Sequence, residues 1–146
     1  MPTRKPASAR KPAIPGRAPA AGVVLGGVLQ RMGDVLGPGA IYSLVHYGAL
    51  EEGLLLAAAS PGAGTDSAQL VAGLLGVEVK VESDKDKLVR LRIKQAPHFS
   101  LENRASVALV VGLLEGAFTT ARRRKMQATT DPTMGADGTL KLDLEG

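Results

Sequence analysis

Residues 105–118 read ASVALVVGLLEGAF, and residues 134–144 read MGADGTLKLDL. Almost every residue of the first stretch is small or apolar, and Gly112 and Gly116 lie one helical turn apart. A glycine inside a helix costs about 1 kcal/mol relative to alanine, so two at this spacing indicate that another body approaches closely. In the second stretch leucine alternates with polar residues after an Asp-Gly turn, which predicts a β-hairpin.

Three further helices are predicted before this stretch. Apolar residues recur at helical spacing through residues 23–35, 40–59 and 66–75. The segment Gly37-Pro38-Gly39 separates the first two helices, and Gly76 ends the third. Asp66 and Gln69 resemble a capping box at the start of the third helix.

Between the third helix and residue 101 the apolar period changes from 3.6 to 2. Residues 77–81 and 89–93 each alternate a branched or long apolar residue with a charged one, which predicts a hairpin with one buried face. The fourth helix is predicted over residues 101–123, and a second hairpin over 125–130 and 139–144. The predicted fold is therefore α+β, with helices packed on one face of a four-stranded antiparallel sheet in the order ααα-ββ-α-ββ.

The charge of the chain is concentrated at its start. Residues 1–22 hold five basic side chains and no acidic one, which leaves 13 basic and 14 acidic residues elsewhere. We therefore predict a disordered, basic, Pro/Ala-rich tail over residues 1–21, which would contact an acidic surface, and a single nearly neutral domain over residues 22–146. Nucleic-acid binding is not expected of that domain.

The apolar run at residues 20–29 lacks a clear cleavage site, and no apolar run approaches the roughly 20 residues of an integral membrane segment. We predict a cytoplasmic protein. The absence of cysteine excludes disulfides and thiolate chemistry.

The order of elements and the positions of Gly112, Gly116 and Gly135 resemble the 4-vinyl reductase domain family, over roughly residues 23–146. The segment 44–53 resembles that family's earlier glycine-containing helix. The resemblance implies a small α+β domain that binds hydrophobic molecules, with a fold shared by subunits of the transport protein particle (TRAPP) tethering complex. The family also includes sensor domains and a protein linked to bacteriochlorophyll synthesis. Its three cysteine positions fall on Val107, Asp131 and Thr139, so we expect no metal site.

The glycine pair allows two interpretations. In one, the fourth helix crosses another helix or the sheet closely within one subunit. In the other, the pair lies at a homodimer seam or in the wall of an apolar pocket, together with Val110, Leu113 and Phe118. Apolar residues cover nearly the whole circumference of this helix, which favours burial on several sides and hence a partner subunit or a ligand.

Polar candidates lie on the second helix. Tyr42 and His46 are four residues apart and share a face, and Tyr47 is adjacent. They fit either an ordinary helix surface with a satisfied histidine, or a polar anchor at the mouth of an apolar pocket. His98 lies in a loop and is a weaker candidate for gating such a pocket. The basic run at residues 122–125 is typical of a helix C-terminus.

No pattern of catalytic or metal-binding residues is present in the sequence. No nucleophile has an evident base, and no glycine-rich stretch has the context of a phosphate loop. We therefore predict a non-enzymatic, dimeric module that binds a hydrophobic small molecule or a protein partner, with any cofactor unknown. Two alternatives remain: a small structural subunit of a larger assembly without a ligand, and an accessory protein of tetrapyrrole metabolism, which the resemblance alone suggests.

Overall fold

The computed structural model describes residues 19–59, 64–96, 99–129 and 132–146. The predicted disordered tail falls, for residues 1–18, outside the described residues, as does His98. The helices are α1 (Pro19–Leu36), α2 (Pro38–Ala59), α3 (Gly64–Leu75) and α4 (Arg104–Arg122). Helix α1 begins at Pro19, four residues before its predicted start at residue 23.

The helix ends follow local chemistry. Gly37, with a φ of 89°, lies alone between α1 and α2. Gly76 has a φ of 71° and donates its N–H to Ala72 O, so it ends α3 as predicted. Asn103 is the N-cap of α4, and its Oδ1 accepts a hydrogen bond from the Ala105 N–H at 2.8 Å.

The predicted capping box at α3 is wrong. The helix begins at Gly64, so Asp66 lies inside it and not at its N-cap, and Gln69 is beyond the third helical position. Its side-chain amide instead donates to the carbonyl oxygen of Val79 at 3.2 Å. This bond ties α3 to the first strand of the sheet.

The sheet contains β1 (Glu78–Asp84), β2 (Leu88–Lys94), β3 (Gln127–Ala128), β4 (Thr133–Met134) and β5 (Thr139–Glu145), all antiparallel. Its order is β1-β2-β5, with β3 and β4 both paired to the outer side of β5. The sheet is thus four strands wide, and the predicted α+β class and element order are confirmed. The second hairpin differs in detail, because its first strand is broken between Ala128 and Thr133. Pro132, which has no N–H to donate, lies in this break.

Helix α4 lies in the middle of the domain. One side packs on the buried sheet face formed by β1, β2 and β5, another on α2, and α3 covers part of the rest. Its residues 105–118 are all buried except Leu109, which is partly buried. By length and composition α4 is the one described helix that could cross a membrane, but 72% of its apolar window is buried inside the protein. Its apolar circumference is explained by this position.

The outer face of the sheet is charged and internally paired. Arg90 Nε lies 3.1 Å from Asp143 Oδ1, and Arg92 Nε lies 2.7 Å from Glu82 Oε2. At the C-terminal end of α4, Arg122 binds the β1–β2 turn through the carbonyl oxygen of Lys85 at 2.7 Å. The predicted basic end of α4 therefore anchors a hairpin turn.

Candidate functional site

The two glycines of α4 lie at its crossing with α2. A Cβ placed on Gly112 would lie 2.6 Å from the Cβ of Ala49 and 2.8 Å from the carbonyl oxygen of His46. A Cβ placed on Gly116 would lie 2.7 Å from the Leu54 nitrogen. Real Cβ atoms do not approach other heavy atoms this closely, so the absence of side chains allows the two backbones to meet.

The crossing is reciprocal, because α2 also contributes a glycine. A Cβ on Gly53 would lie 2.5 Å from the Leu113 oxygen and 3.1 Å from the Gly116 Cα. The helix that packs closely against Gly112 and Gly116 is therefore α2 of the same chain. Of the two interpretations of the pair, the structure has the close crossing within one subunit, and no open surface remains at the pair for a homodimer seam or a ligand pocket.

The other α4 residues predicted at the interface are also internal. Val110 and Phe118 have no exposed surface, and Leu113 is 4% exposed. All three belong to the main hydrophobic core, which α4 shares with the sheet and α3. A helix with a closely packed helix on one side and a sheet on the other needs no second subunit to bury an apolar circumference. This is the physical reason why the sequence prediction placed them wrongly.

The polar candidates of α2 separate into two groups. Tyr42 and His46 lie together, with stacked rings whose centroids are 6.0 Å apart. The Arg104 guanidinium lies 4.5 Å from the centroid of the Tyr42 ring. Tyr47, in contrast, is 68% exposed, and it lies with the outward-facing residues of α2.

His46 pairs with a residue that the sequence analysis did not select. Its Nε2 binds Oε1 of Glu115, a carboxylate that is only 5% exposed. The second oxygen, Oε2, accepts the backbone N–H of Ala128 at 2.7 Å. Glu115 therefore joins α4, α2 and β3. It was detectable in principle, because it is the only charged residue between positions 105 and 118.

A cavity of about 480 Å³, which we name the Glu115 cavity, opens beside this pair. Its apolar lining residues include Leu50, Leu54 and Met126, and its polar lining residues include His46, Glu115 and Lys125. Next to the cavity, the Thr119 hydroxyl accepts the Met126 N–H at 2.9 Å and so connects the last turn of α4 to the segment that follows it. The volume falls in the range of small-molecule sites.

A second feature is an exposed set of side chains that we name the apolar helix surface. Nine large hydrophobic residues of α1 and α2 are between 37% and 84% exposed: Val24, Leu25, Val28, Met32, Val35, Leu36, Leu44, Tyr47 and Leu55. Among the α1 side chains that the structure describes, only Leu29 is a buried hydrophobic residue. Soluble monomers rarely expose this much apolar surface on adjoining elements.

Residues with catalytic or metal-binding chemistry do not cluster elsewhere in the described part of the chain. Within it, no group of three or more His, Cys, Asp or Glu side chains is arranged to hold a metal ion.

Comparison with known proteins gives a fold but no family. No family model matches the chain, and no curated protein matches it. Membership in the 4-vinyl reductase family therefore stays a prediction, and so does the tetrapyrrole role that the resemblance implied.

Among solved structures, the chain is similar to a trafficking protein particle complex subunit 3 from Naegleria fowleri, described as covalently bound to palmitic acid. The TM-score is 0.61 and the sequence identity 12%, and the superposition covers 88% of this chain and 94% of that one. The TRAPP-like fold that the resemblance implied is confirmed by this structural match. At this identity the likeness concerns the fold alone.

Proposed function

We propose that the chain is a non-catalytic assembly subunit that forms a homodimer through the apolar helix surface. The observation that carries this proposal is the exposure of nine large apolar side chains on α1 and α2. At these exposures they present an area on the order of the ~800 Å² that each partner buries in a standard interface. The likeness in fold to a subunit of a multi-protein trafficking complex supports an assembly role.

A second copy of the chain is the occupant that best suits this surface. A two-fold interface brings the same surface of both copies together, so an apolar patch is its own complement. Helix α1 also carries Arg31 and Asp34 three residues apart. An antiparallel copy would place unlike charges opposite each other at this position, which favours one register.

The oligomeric state tests the proposal directly. We expect the full chain to sediment as a dimer and the Val28→Glu and Leu44→Glu variants to sediment as monomers with unchanged circular dichroism. Leu74→Glu is the matched control, since Leu74 is 46% exposed but lies on α3, outside the apolar helix surface. A monomeric wild type at high concentration, or dimeric Val28→Glu and Leu44→Glu variants, would contradict the proposal.

Binding of a hydrophobic small molecule is the second candidate, and the Glu115 cavity favours it. The structural neighbour is described as covalently bound to palmitic acid. This chain has no cysteine to which an acyl group could be attached as a thioester, and a ligand bound without a covalent bond would be held by burial of its apolar surface. Native mass spectrometry of protein purified from its own host tests this, because a retained ligand adds a defined mass.

A further inference from the structure

Glu115 is a buried carboxylate with few charged neighbours. It is 5% exposed, and its two oxygens are bound by the neutral Ala128 N–H and by His46, which carries a charge only when it is protonated. Buried carboxylates are costly unless a cation or several hydrogen bonds compensate them. A carboxylate can accept about four hydrogen bonds, so Glu115 has acceptor capacity beyond these two.

The cavity next to this carboxylate is amphipathic. Leu50 and Leu54 are one turn apart on α2 and form an apolar wall with Met126, which is 1% exposed. Glu115 and His46 are polar residues of the same lining. Such a site combines an apolar wall for affinity with one charged group for orientation, as ligand sites usually do.

The geometry points to a small amphipathic amine as the ligand of the Glu115 cavity. Its ammonium group would donate to a free lone pair of Glu115, and its alkyl body would lie against Leu50, Leu54 and Met126. A ligand with a carboxylate would instead bring a second negative charge next to a buried one, which is unfavourable.

Lys125 is the one lysine on the cavity lining, and it would repel a cation. Its side chain is exposed, whereas Glu115 is buried. Exposed charges are screened by water and salt, and buried charges are screened much less. The field of Glu115 therefore dominates inside the cavity, and Lys125 contributes at the rim.

Isothermal titration of the full chain with three ligands of equal chain length tests the sign of the charge. We expect n-hexylammonium to bind, 1-hexanol to bind about tenfold more weakly or worse, and hexanoate to show no binding. Hexanoate binding as tight as that of hexylammonium would overturn the proposal. So would the failure of hexylammonium to bind.

Two variants and a control separate the charge of Glu115 from the fold. Glu115→Gln should weaken hexylammonium binding by about tenfold to a hundredfold, whereas Glu51→Gln, an exposed change on α2, should leave it unaltered. Lys125→Gln removes the rim cation that would repel an ammonium group and should raise the hexylammonium affinity. A folded Glu115→Gln variant that keeps its affinity for hexylammonium would overturn the proposal, and so would a Lys125→Gln variant whose affinity does not rise. If Glu115→Gln unfolds, the result for Lys125→Gln decides.

Discussion

Replacing Gly116 by alanine should force α2 and α4 apart. The new Cβ would lie 2.7 Å from the Leu54 nitrogen and 2.9 Å from the Gly53 carbonyl carbon, and closer still to the Leu50 oxygen. All three atoms belong to the backbone of α2. No change of rotamer can relieve these contacts, so one helix has to move away from the other along the whole crossing.

The expected loss of stability follows from two opposing effects. Overpacking a close contact costs about 1–3 kcal/mol, and backbone clashes belong at the upper end of that range. Alanine recovers up to about 1 kcal/mol of helix propensity relative to glycine. We therefore expect a net decrease of about 2 kcal/mol in the free energy of unfolding, which corresponds to a fall in Tm of about 6–10 °C for a domain of this size.

Thermal and urea unfolding followed by circular dichroism measures this change. Gly48→Ala is the matched control, because Gly48 is likewise inside a helix, in α2, but a Cβ there would meet no atom within 4 Å. That variant should be more stable than the wild type by up to about 1 kcal/mol. If Gly116→Ala were as stable as Gly48→Ala, or lost only self-association at unchanged Tm, the internal close approach of the two helices would be refuted.

Two further predictions concern the hairpin turns. Arg122→Ala removes the bonds to the β1–β2 turn. Amide hydrogen exchange at Lys85 should therefore accelerate, and the free energy of unfolding should fall by about 1 kcal/mol. Unaltered exchange at Lys85 would contradict this role of Arg122. In the other turn, the Thr139 N–H donates to Asp137 at 3.1 Å and holds the pKa of that carboxyl below its usual 3.8. Because the pKa of Asp137 is depressed in the folded protein, this stabilisation is complete above about pH 3.8 and is lost as the pH falls through the folded pKa. An NMR titration midpoint of Asp137 at or above 3.8 would disprove the depressed pKa.

The sheet could be predicted from the sequence because its signals are local. Alternation along β2 and β5 identifies both strands and the face that each one buries, and the register pairs Leu91 with Leu142 as that alternation requires. The break in the outer strand could not be predicted in the same way. The segments β3 and β4 have two residues each, too few for a period to be recognised.

The contacts of the site residues could not be predicted in the same way, because their partners are distant in sequence. The glycine spacing in α4 predicts a close approach, but it does not indicate whether a helix of the same chain, a second subunit or a ligand makes that approach. His46 and Glu115 are 69 residues apart, and no periodicity relates them. The decisive sign was available in the lone carboxylate of an apolar helix, since burial of a charge requires partners from other elements.

Helix α1 buries little apolar surface against the rest of the chain, and this affects how the protein behaves on dilution. With Leu29 as its one buried hydrophobic side chain among those described, the first helix should detach at a small fraction of the free energy needed to melt the remainder. If its outer side is covered by another copy, mass action links the order of this helix to protein concentration. At nanomolar concentration we then expect a four-stranded core that persists while its first helix frays.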